Sequence, residues 1–248
     1  KYSFDTEAEP AEITDMAQVA IRAGVDVLAV TDHYDLFREA PSIFCDVAAI
    51  QADIAAARPQ FDGQVELLRG IELGQPQRNP SLADVVIGSL HVMPNDVDLY
   101  DHDYDHIDCD ALLRDYFAEM VRMEQHGGFD ILAHLDYPLR VMKRPHTNPS
   151  FDNFMEHILP VLREAVNRGY AIECNAATLF SWMQRPGPDR WILEEYRRLG
   201  GERISLGSDA HRARDIGRGF DVYADYIRSL GFDHLTVFRN RQAQAYPI

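Results

Sequence analysis

A chain of 248 residues can bury a large core, and this is a common length for one α/β barrel. The formal net charge of −16 at pH 7 argues against nucleic acid or an anionic membrane as the main partner, because both bind basic surfaces. No apolar run approaches the roughly 20 residues of a membrane span. The three cysteines (Cys45, Cys109 and Cys174) are far apart, and we expect reduced thiols in a cytoplasmic protein.

Six short segments rich in strand-forming residues recur along the chain, and most of them are nearly continuous in apolar residues. This is the pattern expected of parallel strands that are covered on both faces. The segments span residues 26–33, 65–72, 84–91, 130–134, 171–175 and 203–211.

Helical periodicity fills several of the intervals between these strands. Apolar stripes run through residues 13–21, 113–121, 158–166 and 223–230, and Gly24 follows the first as a stop signal. A strand followed by a helix, repeated along the chain, predicts a parallel sheet. No flexible or low-complexity tract divides the chain, so we expect one domain over residues 1–248.

The predicted strands share a polar, mostly ligand-competent residue at their carboxyl ends. In a barrel these ends open to one mouth, so residues far apart in the sequence are expected to converge there. Imidazoles and carboxylates that converge on one spot are the groups that bind divalent cations. The residues concerned are His33, Glu72, His91, His134, Asn175, Asp209 and His211.

The segments "LAVTDH", "GIE", "GSLH", "ILAH", "CN" and "LGSDAH", in this order and spacing, resemble the PHP (polymerase and histidinol phosphatase) superfamily. Within it, "IGSLHVMPNDVDLYD", "FDILAHLDYPLR" and "GSDAHRARDIGRGF" are most similar to the histidinol-phosphate phosphatase branch. The resemblance runs essentially end to end. It implies an α/β fold, a distorted (β/α)7 barrel of PHP type, and a cluster of divalent metals that hydrolyses phosphate esters.

The resemblance also implies the role of each ligand when the family's motif is carried over by position. It implies two or three divalent ions, with Glu72 and Asp209 as catalytic residues that bind the metals sharing a nucleophilic hydroxide. Sites of histidine and carboxylate accept zinc, manganese or iron, and the sequence does not decide among them. The implied metal ligands are Glu72 bridging two metals, His91 and His134 on the second, Asp209 on the first, and Asp5, His33 and His211 on the third.

One departure from the family concerns its first strand, which carries an Asp-x-His-x-His motif whose histidines bind the first metal. The sequence opens at Lys1, just after the place of that motif, and would leave this metal to Glu72 and Asp209. A barrel without its first strand would expose two sheet edges, which natural proteins avoid. We therefore expect the first strand to be missing from this sequence, and an incomplete enzyme is the alternative.

Hydrolysis of a phosphomonoester needs a nucleophile and groups that hold the phosphate. A metal-bound water can supply a hydroxide near neutral pH, and the metals also neutralise charge on the phosphoryl oxygens. Arginine binds phosphate bidentately, and Arg140 and Arg185 lie in loops that should overhang the mouth. We predict that these two arginines bind the phosphate of a small phosphorylated substrate.

Three functions remain open at this point. The first is a histidinol-phosphate phosphatase, the second a PHP hydrolase of another phosphate ester, and the third a metal-binding barrel without activity. A metal amidohydrolase is set aside because that barrel commonly uses a carboxylated lysine at a strand end. The only lysines, Lys1 and Lys143, do not end a recognisable strand.

Overall fold

The main sheet is parallel, and all six strand regions predicted from the sequence are present in it.

Asp5 and Cys45 lie outside the described residues. The structure, a computed structural model, describes residues 11–34, 46–74, 83–94, 97–142 and 149–248.

The sheet has six positions, because the first two strands lie one after the other along the same neighbour. The order is β1-β3-β4-β5-β6-β7, and β2 pairs with the later part of β3. The strands are β1 (Val27–Val30), β2 (His33–Tyr34), β3 (Glu66–Leu73), β4 (Val85–Gly88), β5 (Ile131–Leu132), β6 (Ala171–Asn175) and β7 (Ile204–Gly207).

Helices lie between the strands in the chain and pack on the outer face of the sheet. The four helices predicted from apolar stripes are confirmed as α1, α3, α5 and α7, whereas α2, α4 and α6 were not predicted. The helices are α1 (Ile13–Arg22), α2 (Val47–Ala57), α3 (Cys109–His126), α4 (Tyr137–Val141), α5 (Met155–Arg168), α6 (Arg190–Arg198) and α7 (Phe220–Ser229).

The predicted ends of three strands were wrong by a few residues. Strand β4 ends at Gly88 rather than at His91, β5 ends two residues before His134, and β7 ends before Asp209. Side chains within a strand alternate between the two faces of the sheet, whereas residues just beyond it can turn towards the mouth. Asp209 adopts such a turn, with φ of 51°.

The sheet is curled, because residues from both of its end strands line one cavity. This cavity of about 410 Å³ is lined by β1 and β7 and by inward-facing residues such as Leu68, Ile87 and Ile131. Within the described residues no strand pairs with the free side of β1 or of β7. The cavity reaches from the carboxyl ends of the strands to Thr236 and Phe238 near their amino ends.

An antiparallel hairpin closes the end of the sheet where the strands begin. It consists of β8 (His234–Arg239) and β9 (Gln242–Pro247) and was not predicted from the sequence. Arg239 pairs with Glu66 at the start of β3, and Tyr246 donates a hydrogen bond to Asp26 before β1. Arg241 pairs with Asp130 before β5. The accessible mouth is therefore at the opposite end, where the carboxyl ends of the strands lie.

No helix in the described part of the chain combines the length and the apolar character that crossing a membrane requires.

Glu124, in the last turn of α3, is a buried carboxylic acid near the amino ends of the strands. Within the described structure, neither of its carboxyl oxygens has a hydrogen-bond partner. Burial, helped by the nearby charge of Glu164, raises the pKa of Glu124 to about 10. The folded protein therefore keeps a proton that the unfolded chain releases above its ordinary pKa.

This buried acid should make the protein less stable as the pH rises. The stability that depends on the protonated Glu124 is fully present below the pKa of this residue in the unfolded chain. It is lost progressively as the pH rises from that value to about 10. The free energy of unfolding should fall by at most about 1.4 kcal/mol per pH unit in this range. Glu124→Gln should remove this fall, as measured by urea unfolding from pH 6 to 9.

The matched control is Glu156→Gln, because the Glu156 side chain in α5 is 84% exposed. This variant should follow the wild-type pH dependence. An unchanged slope in Glu124→Gln would show that Glu124 titrates as an ordinary exposed acid.

Candidate metal centre

The carboxyl ends of the parallel strands bring the predicted ligands together at one mouth. His33 opens β2 and pairs in register with Glu72, which lies near the end of β3. His91 and His134 follow β4 and β5, the next two strands of the sheet. Asp209 follows β7, the last strand of the sheet. This order results from the strand-helix repeat, because parallel strands all end at the same edge.

Glu72 lies at the centre of the group. Its Oε1 atom lies 3.1 Å from Nε2 of His134 and 3.4 Å from Nε2 of His91. The two imidazole Nε2 atoms are themselves 3.2 Å apart. On the other side, Oε2 of Glu72 lies 3.8 Å from Nδ1 of His33. The two carboxylate oxygens of Glu72 therefore face different histidines.

These spacings fit the shared coordination of a cation. Ligand atoms at about 2.0–2.1 Å from a tetrahedral zinc ion are about 3.3 Å from one another. The three atoms from Glu72, His91 and His134 are separated by 3.1 to 3.4 Å. A second group of ligand atoms, from His33, Glu72 and His91, lies within 4.8 Å. Both groups contain Glu72 and His91, and the two oxygens of Glu72, which face different histidines, would allow it to bridge two cations.

Asp209 and His211 line the other side of the mouth. The rings of His33 and His211 have centroids 6.3 Å apart, and those of His33 and His91 are 5.0 Å apart. Asp209 Oδ2 accepts hydrogen bonds from Asn175 Nδ2 at 3.1 Å and from an arginine described below. Nδ1 of His211 lies 3.7 Å from Asp209 Oδ1. His33 thus stands between the two halves of the group.

The surrounding charges keep both carboxylates ionised. Burial by itself would raise the pKa of Glu72, but His33, His134 and His91 hold it well below its usual range. Burial opposes ionisation of Asp209 as well, and the positive charge of Arg140 outweighs it and lowers the pKa of Asp209. Ionised carboxylates beside imidazoles are the hard and borderline ligands that zinc, manganese and iron accept.

A family model described as PHP domain matches residues 1–177, which is more than half of the chain. This chain belongs to the PHP domain family. A probable histidinol-phosphatase of Thermotoga maritima is 30% identical to it over 240 residues, covering 95% of this chain and 91% of that protein. The histidinol-phosphatase of Lactococcus lactis is 24% identical, with 96% and 91% covered.

Solved structures of similar proteins have the same fold. A crystal structure of histidinol phosphate phosphatase from Lactococcus lactis, complexed with zinc, L-histidinol and phosphate, matches with a TM-score of 0.83 at 22% identity. It covers 98% of this chain and 95% of that one. A putative histidinol phosphatase of Listeria monocytogenes has a TM-score of 0.72 at 16% identity, covering 87% and 95%. The predicted PHP membership and α/β architecture with a parallel sheet are confirmed.

The two predicted phosphate ligands of this PHP protein have different surroundings. Arg140 in α4 has 12% of its side chain exposed and donates from Nη1 to Asp209 Oδ2 at 2.9 Å. Its guanidinium carbon lies 5.2 Å from the ring centroid of Tyr137, which in turn contacts His91 edge-on. Arg185 is more exposed and pairs with Asp189. Arg140 is therefore part of the mouth, and the role of Arg185 stays a prediction.

Two buried residues of β6 also belong to the centre of this PHP protein, and one was missed in the sequence. Asn175 was noted only as a polar strand end, whereas Glu173 was passed over within an apolar segment. Glu173 accepts a hydrogen bond from the backbone N–H of His134 at 2.9 Å. Burial is the main cause of its raised pKa, which the charge of Asp209 raises further. The sequence did contain a signal for Glu173: a charged residue inside an apolar strand, two positions before Asn175 and therefore on the same face of the sheet.

Only two of the three ligands that the PHP resemblance assigns to the third metal lie within the described residues. His33 and His211 face each other at the mouth, whereas Asp5 lies outside the described residues. The assignment of Asp5 therefore stays a prediction.

Proposed function

We propose that this protein is a metal-dependent phosphomonoesterase, and that its substrate is histidinol phosphate. The observation that carries the metal dependence is the spacing of the ligand atoms around Glu72. The proposed substrate is supported by the names of the relatives. Two of them are probable histidinol-phosphatases, and this chain matches at least 90% of the length of each.

In this proposal the residues at the mouth bind up to three cations, and two of these cations share one carboxylate. Glu72 would bridge two divalent cations, with His91 and His134 on one of them and Asp209 on the other. His33, His211 and Asp5 would hold a third. When bound, the cations would supply a water of lowered pKa and neutralise charge on the phosphoryl group. The solved relative that contains zinc makes zinc the first metal to test.

The residues around the cations would hold and orient the small phosphorylated substrate. Arg140 would donate to a phosphate oxygen, and its hydrogen bond to a carboxylate at the mouth supports this role. Arg185 would add a second donor from the loop that follows β6. With a net charge of −16, the chain binds an anion through these local cations rather than through its overall surface.

The test is a phosphatase assay on protein stripped with a chelator and then reloaded with zinc, manganese or iron. We expect chelation to abolish turnover and one of these metals to restore it, with histidinol phosphate hydrolysed faster than other phosphomonoesters. His91→Ala should remain inactive after reloading. Faster turnover of another ester would favour a different PHP phosphoesterase. Metal binding without any turnover would favour the non-catalytic barrel.

A further inference from the structure

Glu173 is a carboxylate inside the curled sheet, directly beneath the metal centre. Residues of β6 alternate between the two faces, so Glu173 and Asn175 point into the cavity that Glu72 and Asp209 also line. Only 5% of Glu173 is exposed. A third carboxylate beside two others is unfavourable for a fold, since an apolar residue could fill this space without charge repulsion.

One oxygen of Glu173 connects two of the proposed metal ligands. Oε2 accepts from the backbone N–H of His134 at 2.9 Å and from Nδ2 of Asn175 at 3.2 Å. The same Nδ2 group donates to Oδ2 of Asp209 at 3.1 Å. The carboxylate thus fixes the backbone of His134, just beyond β5, directly and the Asp209 side chain through Asn175.

The other oxygen of Glu173 occupies a space that the neighbouring strand leaves open. Gly207 pairs in register with Asn175 and lies beside it in β7. A Cβ atom added at Gly207 would lie 2.3 Å from Oε1 of Glu173. Glycine at this position therefore provides room for the carboxylate, and its backbone has no left-handed φ that would itself require glycine.

We propose that Glu173 is a positioning residue for the metal centre, which orients His134 and Asp209 towards the cations. The inference rests on the proposed metal-dependent function. Groups that hydrogen-bond to metal ligands orient them, and their loss typically weakens metal binding 10- to 100-fold.

A purely structural role makes a different prediction. If Glu173 only satisfied buried donors, its replacement would lower the stability of the metal-free protein and leave the metal affinity of the folded fraction unchanged. The dissociation constant for zinc, measured on folded metal-free protein against a chromophoric chelator, separates the two roles. Circular dichroism and a thermal melt of the metal-free protein provide the second readout.

Three variants and one control make the test. Glu173→Ala removes the acceptor and should weaken zinc binding roughly 10- to 100-fold. Gly207→Ala keeps every polar group but pushes the carboxylate aside, so it should weaken binding in the same direction. Glu173→Gln should bind more tightly than Glu173→Ala, because its amide oxygen can accept both hydrogen bonds. Glu124→Gln, which replaces another buried carboxylate away from the mouth, should keep wild-type affinity.

The outcomes distinguish this inference from the proposed function. If Glu173→Ala does not fold, Gly207→Ala decides the question, because it deletes no hydrogen-bonding group. The positioning role is overturned if Gly207→Ala, and Glu173→Ala where it folds, bind zinc within about threefold of the wild-type affinity. This holds even if the wild type is a metal-dependent phosphatase. A wild-type protein that binds no divalent cation overturns both proposals.

Discussion

Glu72→Gln is expected to lower phosphomonoester turnover at least about 100-fold while the protein stays folded. Loss of a group that only hydrogen-bonds to a metal ligand already lowers activity about 10- to 100-fold, and loss of a ligand should have a larger effect. The two oxygens of the Glu72 carboxylate face different histidines. The neutral amide of the Gln variant cannot bridge two cations as this anion does. Its side chain lies at the mouth and outside the apolar core, so the variant should lose little packing and stay folded. Turnover, bound metal and thermal unfolding should be measured on one preparation.

The matched control is Glu66→Gln at the opposite end of the same strand. Glu66 pairs with Arg239 of the hairpin and is far from the ligand atoms along β3. This variant should keep full turnover. The bridging role would be wrong if Glu72→Gln retained near wild-type turnover with full metal occupancy.

The sequence was sufficient to predict the parallel sheet and the convergence at one mouth of those predicted ligands that lie in the described residues. Strands covered on both faces appear as short apolar runs, and the polar residue that follows each run marks the carboxyl edge. His91 and His134 were placed correctly on this edge because the position depends only on chain order. Their atomic separation of 3.2 Å required the structure, since it depends on the loop that follows each strand.

Other features left weak traces in the sequence. Helix α2 is rich in alanine and apolar on several sides, so it shows no stripe. The β8–β9 hairpin attaches through pairs such as Arg239 with Glu66, which are 173 positions apart and follow no local pattern. The bond from Arg140 to Asp209 spans 69 positions. Contacts between distant side chains of this kind depend on the fold, and composition or periodicity does not indicate them.

Arg185→Ala should have a smaller effect on turnover than the corresponding change at Arg140. Arg185 has 43% of its side chain exposed and pairs with Asp189, so solvent can replace much of what it donates. We expect kcat/KM to fall by roughly 1 kcal/mol, or about fivefold, with bound metal unchanged. A loss of metal in this variant would instead assign Arg185 a structural role.

Arg140→Ala should lower kcat/KM by about 1.5–3 kcal/mol, the range for a hydrogen bond to a charged group, and therefore by roughly 10- to 100-fold. The same change removes a positive charge 2.9 Å from Asp209 that opposes a cation there, whereas Asn175 still donates to Asp209 Oδ2 and orients it. Metal affinity should therefore stay the same or increase. Arg140→Lys is the control, because it keeps the charge and loses the bidentate geometry, and its kcat/KM should lie between those of wild type and Arg140→Ala. Joint measurement of kcat/KM and zinc affinity separates a phosphate ligand from a residue that supports the metals. If Arg140→Ala loses metal together with activity, Arg140 supports Asp209 as a metal ligand; if it loses neither, the phosphate is bound by other residues.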